Sequence, residues 1–333
     1  MPYENVVTLT GAGLSVDYGG FLASEVWGRL LACPEIRETS LSRLFVEIQD
    51  FEKIVEIVRE RSSSSSEDEL GRLESALLSV FRSMNLLERI HVVENKAYKI
   101  RDIFQLSGDH TVFTLNQDLL VEMICHHMNV KLLRPNLDVF CGWKTIDEGL
   151  GNLYENYNSV STVVPVQCDS SHQIIDPPDC FKYVKLHGSC DWFDEQTGRS
   201  LIVVGAGKGS QCKDSALLFS YQKMLAEAMS QNHTMLLVIG YSFRDPHINN
   251  IIANACRTNK IGVFIWDLCP PESMLRNMKG LWNEASGELY DVSQILSSLV
   301  GYLPRSVKAV VEPPVGYADW SIRDILKDAD LIV

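Results

Sequence analysis

Four short apolar runs, each stopping abruptly on small or polar residues, organise the first 242 residues of the chain. They are Val6-Val7-Thr8-Leu9-Thr10 before Gly11-Ala12-Gly13-Leu14-Ser15, Thr111-Val112-Phe113-Thr114-Leu115 before Asn116-Gln117-Asp118, Tyr183-Val184-Lys185-Leu186 before His187-Gly188, and Met235 to Ile239 before Gly240-Tyr241-Ser242. Continuous runs of this length, rich in β-branched residues and bounded by turn formers, predict strands buried on both faces. Between the first and second runs the period changes. Leu44, Ile48, Phe51, Ile54, Val55 and Val58 recur at three- and four-residue steps, as do Leu70, Leu73, Leu77 and Phe81, which predicts two amphipathic helices. Ser62 to Ser66 offers nothing to pack, and Glu67-Asp68-Glu69 suits a helix N-terminus, so a mobile loop is expected between them.

A helix around 22–32 follows the first glycine-rich turn. From 111 the alternation resumes, with a helix over 117–128, strands near 160–166 and 182–187, a helix over 214–231, a strand at 234–239, a helix over 246–256 and a strand at 261–266. Further on the spacing predicts a helix over Leu289–Leu303, a break at Pro313-Pro314 and a short terminal helix over Trp320–Leu331. There is no internal repeat. The order predicts an α/β fold, a Rossmann-like parallel sheet with helices on both faces plus a smaller helical subdomain. Residues 1–33 and 109–310 are expected to form the sheet domain, 34–108 an inserted helical subdomain over one side of a cleft, and 311–333 a C-terminal tail.

Composition narrows the class. The 333 residues are 46% hydrophobic and 22% charged, enough for a sizeable core. With 30 Lys and Arg against 43 Asp and Glu the net charge is −13, and no basic run exists, so direct nucleic-acid binding is not expected. No apolar stretch reaches membrane-spanning length and no secretory leader is evident, which places the expected location in the cytoplasm with no membrane contact. The nine cysteines are irregularly spaced and read as reduced, buried thiols. Cys125-His126-His127 is not expected to bind metal, because successive helical residues point about 100° apart.

In open parallel sheets ligands bind beyond the carboxyl ends of the strands, where all four polar clusters fall. Gly11-Ala12-Gly13, with Ser15 after it, reads as a phosphate cradle: bare backbone beside the positive end of a helix. An ordinary tight turn between strand and helix has the same residues.

The chain resembles the sirtuin family. Gly11-Ala12-Gly13-Leu14-Ser15, Thr114-Leu115-Asn116-Gln117-Asp118, Leu186-His187-Gly188-Ser189 and Gly240-Tyr241-Ser242 carry the resemblance, in the family's order. It looks closest to the divergent bacterial branch of anti-phage defence, since Gly19-Gly20 and Val26-Trp27 follow the first motif in place of the usual continuation. The Gly-Ile-Pro-Asp-Phe-Arg stretch of deacylating sirtuins is replaced by Gly19-Gly20-Phe21-Leu22-Ala23-Ser24, and no two cysteines form a Cys-x-x-Cys pair, so the family's zinc module has no counterpart.

The resemblance implies NAD+ as substrate with no metal required. The implied activity is an NAD+ glycohydrolase releasing nicotinamide and ADP-ribose, an NAD+-depleting effector of abortive infection. A protein deacylase or ADP-ribosyltransferase is the alternative, and a non-catalytic NAD+ or ADP-ribose sensor a third. Asn116 is expected to orient ribose and water, though an Asn here also suits a helix cap, and His187 to act as general base, its ordinary pKa being about 6.5. Gly11, Ala12, Gly13 and Ser15 are assigned to the diphosphate, Gly240 and Ser242 to the adenosine ribose, and Asp118 to the same cofactor site. Asp267, at the end of the Val263-Phe264-Ile265-Trp266 strand, either accepts from ribose hydroxyls or solvates a strand end. Asp245-Pro246-His247 reads as a structural helix start. A homo-oligomer is expected, gated by a partner such as a hexameric DNA-translocase-type ATPase or by a phage trigger, and the chain is compatible with being the N-terminal part of a longer effector.

Overall fold

The computed structural model describes residues 2–16, 18–62, 67–84, 102–107, 111–127, 131–135, 143–145, 161–163, 180–194, 199–205, 207–284, 292–311 and 321–332. Its strands are β1 (Asn5–Thr10), β2 (Thr111–Thr114), β3 (Lys131–Pro135), β4 (Trp143–Thr145), β5 (Ser161–Val163), β6 (Cys180–Lys185), β7 (Gly188–Asp194), β8 (Arg199–Ile202), β9 (Thr234–Ile239), β10 (Gly262–Asp267) and β11 (Leu299–Pro304). Eight form one sheet in the order β11-β10-β9-β1-β2-β6-β3-β4, parallel except at the β3–β4 edge, while β5, β7 and β8 form a small second sheet. The chain steps outward from β1 through β2 to β6, then returns through β9 to β10 and β11. That reversal puts a topological switch point between β1 and β9 and makes the fold α/β and Rossmann-like, as expected.

The central strands are apolar on both faces because both are covered. Val6, Met235, Leu237, Ile239 and Trp266 share a core with Leu120, Val121 and Cys125 of the Leu120–His127 helix and with Ile322 and Leu326 of the terminal helix. On the other face Val7, Leu9, Leu236, Val238 and Ile265 meet Leu218 and Leu225 of Ala216–Ala228 and Ile248 and Ile252 of Pro246–Asn259. A third core belongs to the helices between Ala23 and Ser83, where Leu30, Phe45, Ile54, Val58, Leu73 and Leu77 interlock. Leu119, Cys190, Ile202 and Val204 of the sheet domain join that core, so the additional helices are packed onto it through apolar contact.

Several elements differ from the pattern-based expectation. The chain coils directly at the glycine-rich turn into a five-residue helix, Ala12–Val16, before Ala23–Ala32 begins. The helix expected over 214–231 is two, Lys208–Asp214 and Ala216–Ala228, because Ser215 caps the second by accepting from the Leu218 N–H at 3.4 Å. Leu289–Leu303 is not one helix. Val292–Ser297 is helical, and Leu299–Pro304 then pairs with β10, whose half-exposed edge suits the Val300-Gly301-Tyr302 alternation. Residues 321–332 fold back on the sheet, with Ile332 bridged to Tyr3. Ser63 to Ser66, the serine loop, lies outside the described residues, as do the side chains of His126 and His127.

Register sets the height of the strand ends. Thr10 pairs with both Thr114 and Ile239, and Thr114 pairs with Lys185, so β1, β2, β6 and β9 finish in one row. At the switch point two loops touch through bare backbone: the Gly13 N–H donates to Gly240 O at 2.9 Å, and a Cβ on Gly13 would come within 2.6 Å of Gly240 Cα. Gly240 also has φ +63°, a left-handed conformation that costs any other residue strain. Gly240→Ala is therefore expected to lower stability by more than about 1 kcal/mol in urea denaturation, the steric clash adding to the backbone cost. An unchanged midpoint would mean that the two loops are not in contact.

Candidate functional site

The row of strand ends brings Gly11 and Asn116 side by side. Leu115 N–H donates to Thr10 O at 2.9 Å, carrying the β1–β2 ladder one residue past both strands. Asn116 is then held from three directions. Its backbone N–H donates to Thr114 Oγ1 at 3.1 Å, and Nδ2 donates to Gly11 O at 3.0 Å and to Ser15 Oγ at 2.9 Å. Ser15 passes its own proton to Asp118 Oδ2 at 3.4 Å, while Asp118 Oδ1 accepts from Leu120 N–H at 2.9 Å and starts the following helix. Both amide donors of Asn116 are thus spent on the chain, and its Oδ1 takes no hydrogen bond from the described residues.

Beneath this turn lies a buried ion pair. Lys185 Nζ donates to the Asp118 carbonyl and to Glu122 Oε1, the latter at 2.7 Å, with both side chains 2% exposed or less. Burial raises the Glu122 carboxyl and Lys185 opposes it. The ammonium therefore ties the end of β6 to the backbone of the Asn116-Gln117-Asp118 turn.

His187 follows two residues later, in the turn between β6 and β7. Leu186 N–H donates to Thr114 O at 2.8 Å, and the His187 carbonyl accepts from Val203 N–H at 2.9 Å, which fixes the turn from both sides. Gly188 takes φ +75° there. The His187 ring is 3% exposed, and its Nε2 lies 3.0 Å from Nε2 of His247, so one ring donates and the other accepts. His247 is the second residue of Pro246–Asn259, and Asp245 precedes that helix. The helix starts at Pro246 with Asp245 at its N-cap, as the structural reading of Asp245-Pro246-His247 expected, but the Asp245 side chain makes no capping hydrogen bond. Its Oδ1 instead accepts from Lys208 Nζ at 2.7 Å, and the same ammonium reaches Glu52 of the Phe51–Ser62 helix, also at 2.7 Å. The additional helices thus contact the site through a charge as well as through apolar packing.

Burial decides the protonation states. It pulls His187 down to about 3, with Asp245 opposing, and His247 down to about 4. His187 therefore does not titrate near its ordinary value. Burial raises Asp245, but Lys208 beside it overrides this and holds the carboxyl at about 2. Cys212, on the Lys208–Asp214 helix, is fully buried, and burial pushes its thiol up to about 12. One ligand atom each from His187, Cys212 and His247 lies within 4.8 Å of the others, a grouping that no sequence spacing announced.

The remaining sequence-derived residues sit around the same rim. Gly11 and Gly13 lie at the switch point, but their N–H groups donate to Ile239 O and Gly240 O, so they bring thin backbone there and not spare donors. Ala12 opens the short helix, and Ser15 is buried under Asn116. Gly240 donates to Trp266 O at 2.8 Å, Ser242 is half-buried beside it, and Asp267 Oδ1 accepts from the Cys269 N–H at 2.7 Å, which folds the loop after β10. Sequence reasoning missed Lys208, Cys212 and the roles of Asp245 and His247. The Asp-Pro-His run was the one available signal.

A family model described as SIR2-like domain matches residues 110–284, just over half of the chain, and spans Asn116, His187, Cys212 and His247. No curated protein matches the chain. Among the described residues no helix is long and apolar enough to cross a membrane.

Acid stability follows from the histidine pair. Both rings are neutral in the fold and titrate near 6.5 in the unfolded chain, so below that pH the unfolded state binds more protons. Stability is then fully present above pH 6.5 and is lost as pH falls toward 4 and 3, where the folded rings finally protonate. Urea denaturation between pH 6.5 and 5 should lose about 2 kcal/mol for each histidine. His247→Gln should remove roughly one proton from that slope; an unaltered slope would show that His247 titrates in the fold as it does in water.

Proposed function

The chain belongs to the SIR2-like domain family, whose members use NAD+, and from that premise we propose that it is an NAD+ glycohydrolase, releasing nicotinamide and ADP-ribose. The observation that carries this reading is the pairing of a buried Asn116, whose Oδ1 takes no hydrogen bond from the described residues, with a neutral His187 at the end of the next strand. The residues fit the dinucleotide. The loops that carry Gly11, Gly13 and Gly240 meet backbone to backbone at the switch point where such ligands bind, and the side chains next to them, Asn116, Ser15 and Asp118, are polar.

NAD+, when bound, supplies a nicotinamide–ribose bond that breaks with the ring leaving as a neutral molecule. The chain's own residues supply placement and proton acceptance. Asn116 Oδ1, which no described residue engages, holds a ribose hydroxyl or the attacking water, and the two bonds from Nδ2 to Gly11 and Ser15 keep the amide from turning. Ser15 and Asp118 brace it from below. His187 takes the proton from the attacking group. The 3.0 Å contact lets His247 share that proton, and the nearby Asp245 carboxylate favours the charged form of both rings. Gly11, Ala12, Gly13 and Ser15 line the diphosphate side, and Gly240, Ser242 and Asp267 the adenosine ribose.

The absence of any Cys-x-x-Cys pair supports hydrolysis over protein deacylation, whose enzymes carry a zinc module. Unrestrained NAD+ cleavage would poison the host cell, so the enzyme is an effector held silent until assembly or a partner releases it, in keeping with an anti-phage role. It acts in the cytoplasm, where NAD+ is found.

Asn116→Ala should lower nicotinamide release by at least ~10²-fold while NAD+ binding is largely kept, because the amide positions the reacting groups and contributes little affinity. An acetylated peptide should not stimulate the wild type; peptide-dependent release would move the assignment to a deacylase. Exhaustive EDTA treatment should leave turnover intact, since a leaving group that departs neutral needs no Lewis acid. Loss of activity on chelation, restored by metal, would refute that part.

A further inference from the structure

Cys212 takes part in none of these steps, yet it sits beside the residue that does. Three elements converge there: the turn after β6 brings His187, the start of Pro246–Asn259 brings His247, and the Lys208–Asp214 helix brings Cys212. Gly209 permits the approach, since a Cβ there would already be 3.3 Å from the His247 Cβ. Cys212 stands three residues after Gly209 and four after Lys208, hence on the same helical face.

We propose that His187 Nε2, His247 Nε2 and Cys212 Sγ form a zinc site which, when filled, silences the enzyme by taking up the lone pair of His187. The spacing suits it: two nitrogens each about 2.0–2.1 Å from one tetrahedral ion lie about 3.3 Å apart, and these lie at 3.0 Å. Two imidazoles and a thiolate are the donors of zinc and exclude calcium and magnesium, which take oxygen. Charge is balanced as well. The dication, the Cys212 thiolate and the Asp245 carboxylate sum to zero, and Lys208 is neutralised by Glu52.

A separate observation points the same way. Gln222 is 8% exposed and its side chain favours the ionised form of Cys212, while its Nε2 meets no acceptor at full hydrogen-bond geometry among the described residues. A metal-bound thiolate is the acceptor that such a donor lacks, as the outer partners of metal ligands commonly supply. The Cys212 thiol donates to Leu186 O at 3.6 Å; zinc binding displaces that proton to solvent. The fourth position stays open to water.

The silencing rests on the role given to His187 above, whereas the zinc site does not, and two readouts separate them. Chelator-stripped protein titrated with Co2+ should develop a thiolate-to-cobalt charge-transfer band and tetrahedral visible bands that saturate at one ion per chain and are bleached by Zn2+. Cys212→Ser should abolish the charge-transfer band, and Cys212→Ser and His247→Gln should each weaken zinc at least ~10-fold in competition with a chromophoric chelator. Thermal unfolding of the metal-free variants establishes that they are folded, and if Cys212→Ser is not, His247→Gln decides by affinity. No charge-transfer band at one equivalent, or zinc affinity unchanged in the folded variants, overturns the site. In the second readout, one equivalent of Zn2+ should cut nicotinamide release by the wild type at least ~10-fold, EDTA should reverse it, and Cys212→Ser should resist. A cobalt band without inhibition overturns the silencing. Metal-free protein that releases no nicotinamide even once assembly or a partner has released it refutes the glycohydrolase, while the cobalt spectrum still decides the metal site.

Discussion

Everything at the site depends on parallel register. Thr10, Thr114, Lys185 and Ile239 lie in one row across β1, β2, β6 and β9, so four separate loops leave the sheet at the same height. A slip of one strand by one residue would exchange its two faces, placing Val7 and Leu9 in the core that now takes Val6. It would also separate Asn116 from Gly11 and Ser15. Burial on both faces is what forbids the slip, and the site inherits its precision from the hydrophobic core.

The second organising influence is one ammonium group. Lys208 draws a carboxylate from each of two cores, Glu52 from the additional helices and Asp245 from the loop after β9, and so fixes how closely they meet over His187. Tyr241 stiffens the same loop: its hydroxyl accepts from Asp245 N–H at 3.1 Å and donates to Asn249 Oδ1 at 2.9 Å. His187 is buried and His247 half-buried because these contacts close the loop over them, and their removal from water in turn keeps them neutral. Charge at the margin thus maintains an uncharged interior.

What could be read from the sequence followed from periodicity. The strands at 6–10, 111–114 and 234–239 announce themselves as short runs of apolar and β-branched residues, and the helices holding Ile54 and Leu73 through their three- and four-residue steps. Asn116 and His187 were visible because each follows such a run directly. Lys208, Cys212 and His247 were not, because tertiary packing brings them to the site from helix positions with no periodic mark. The Leu289–Leu303 segment misled for a related reason. Its apolar spacing fits either period, and pairing with β10 decided the outcome for Leu299–Pro304.

The Lys185–Glu122 pair has a consequence for how this sequence can drift. Each partner is almost fully enclosed, and replacing one alone would strand the other charge at a cost of about 3–5 kcal/mol, a large share of the stability of a typical domain. Replacing both together with apolar residues of matching volume would be nearly neutral. Divergence at these two positions therefore has to cross a valley or move in a single double step. Among related sequences the two sites should change as a couple, charged together or greasy together, and the backbone of Asp118, which now leans on the ammonium, would then have to find another donor.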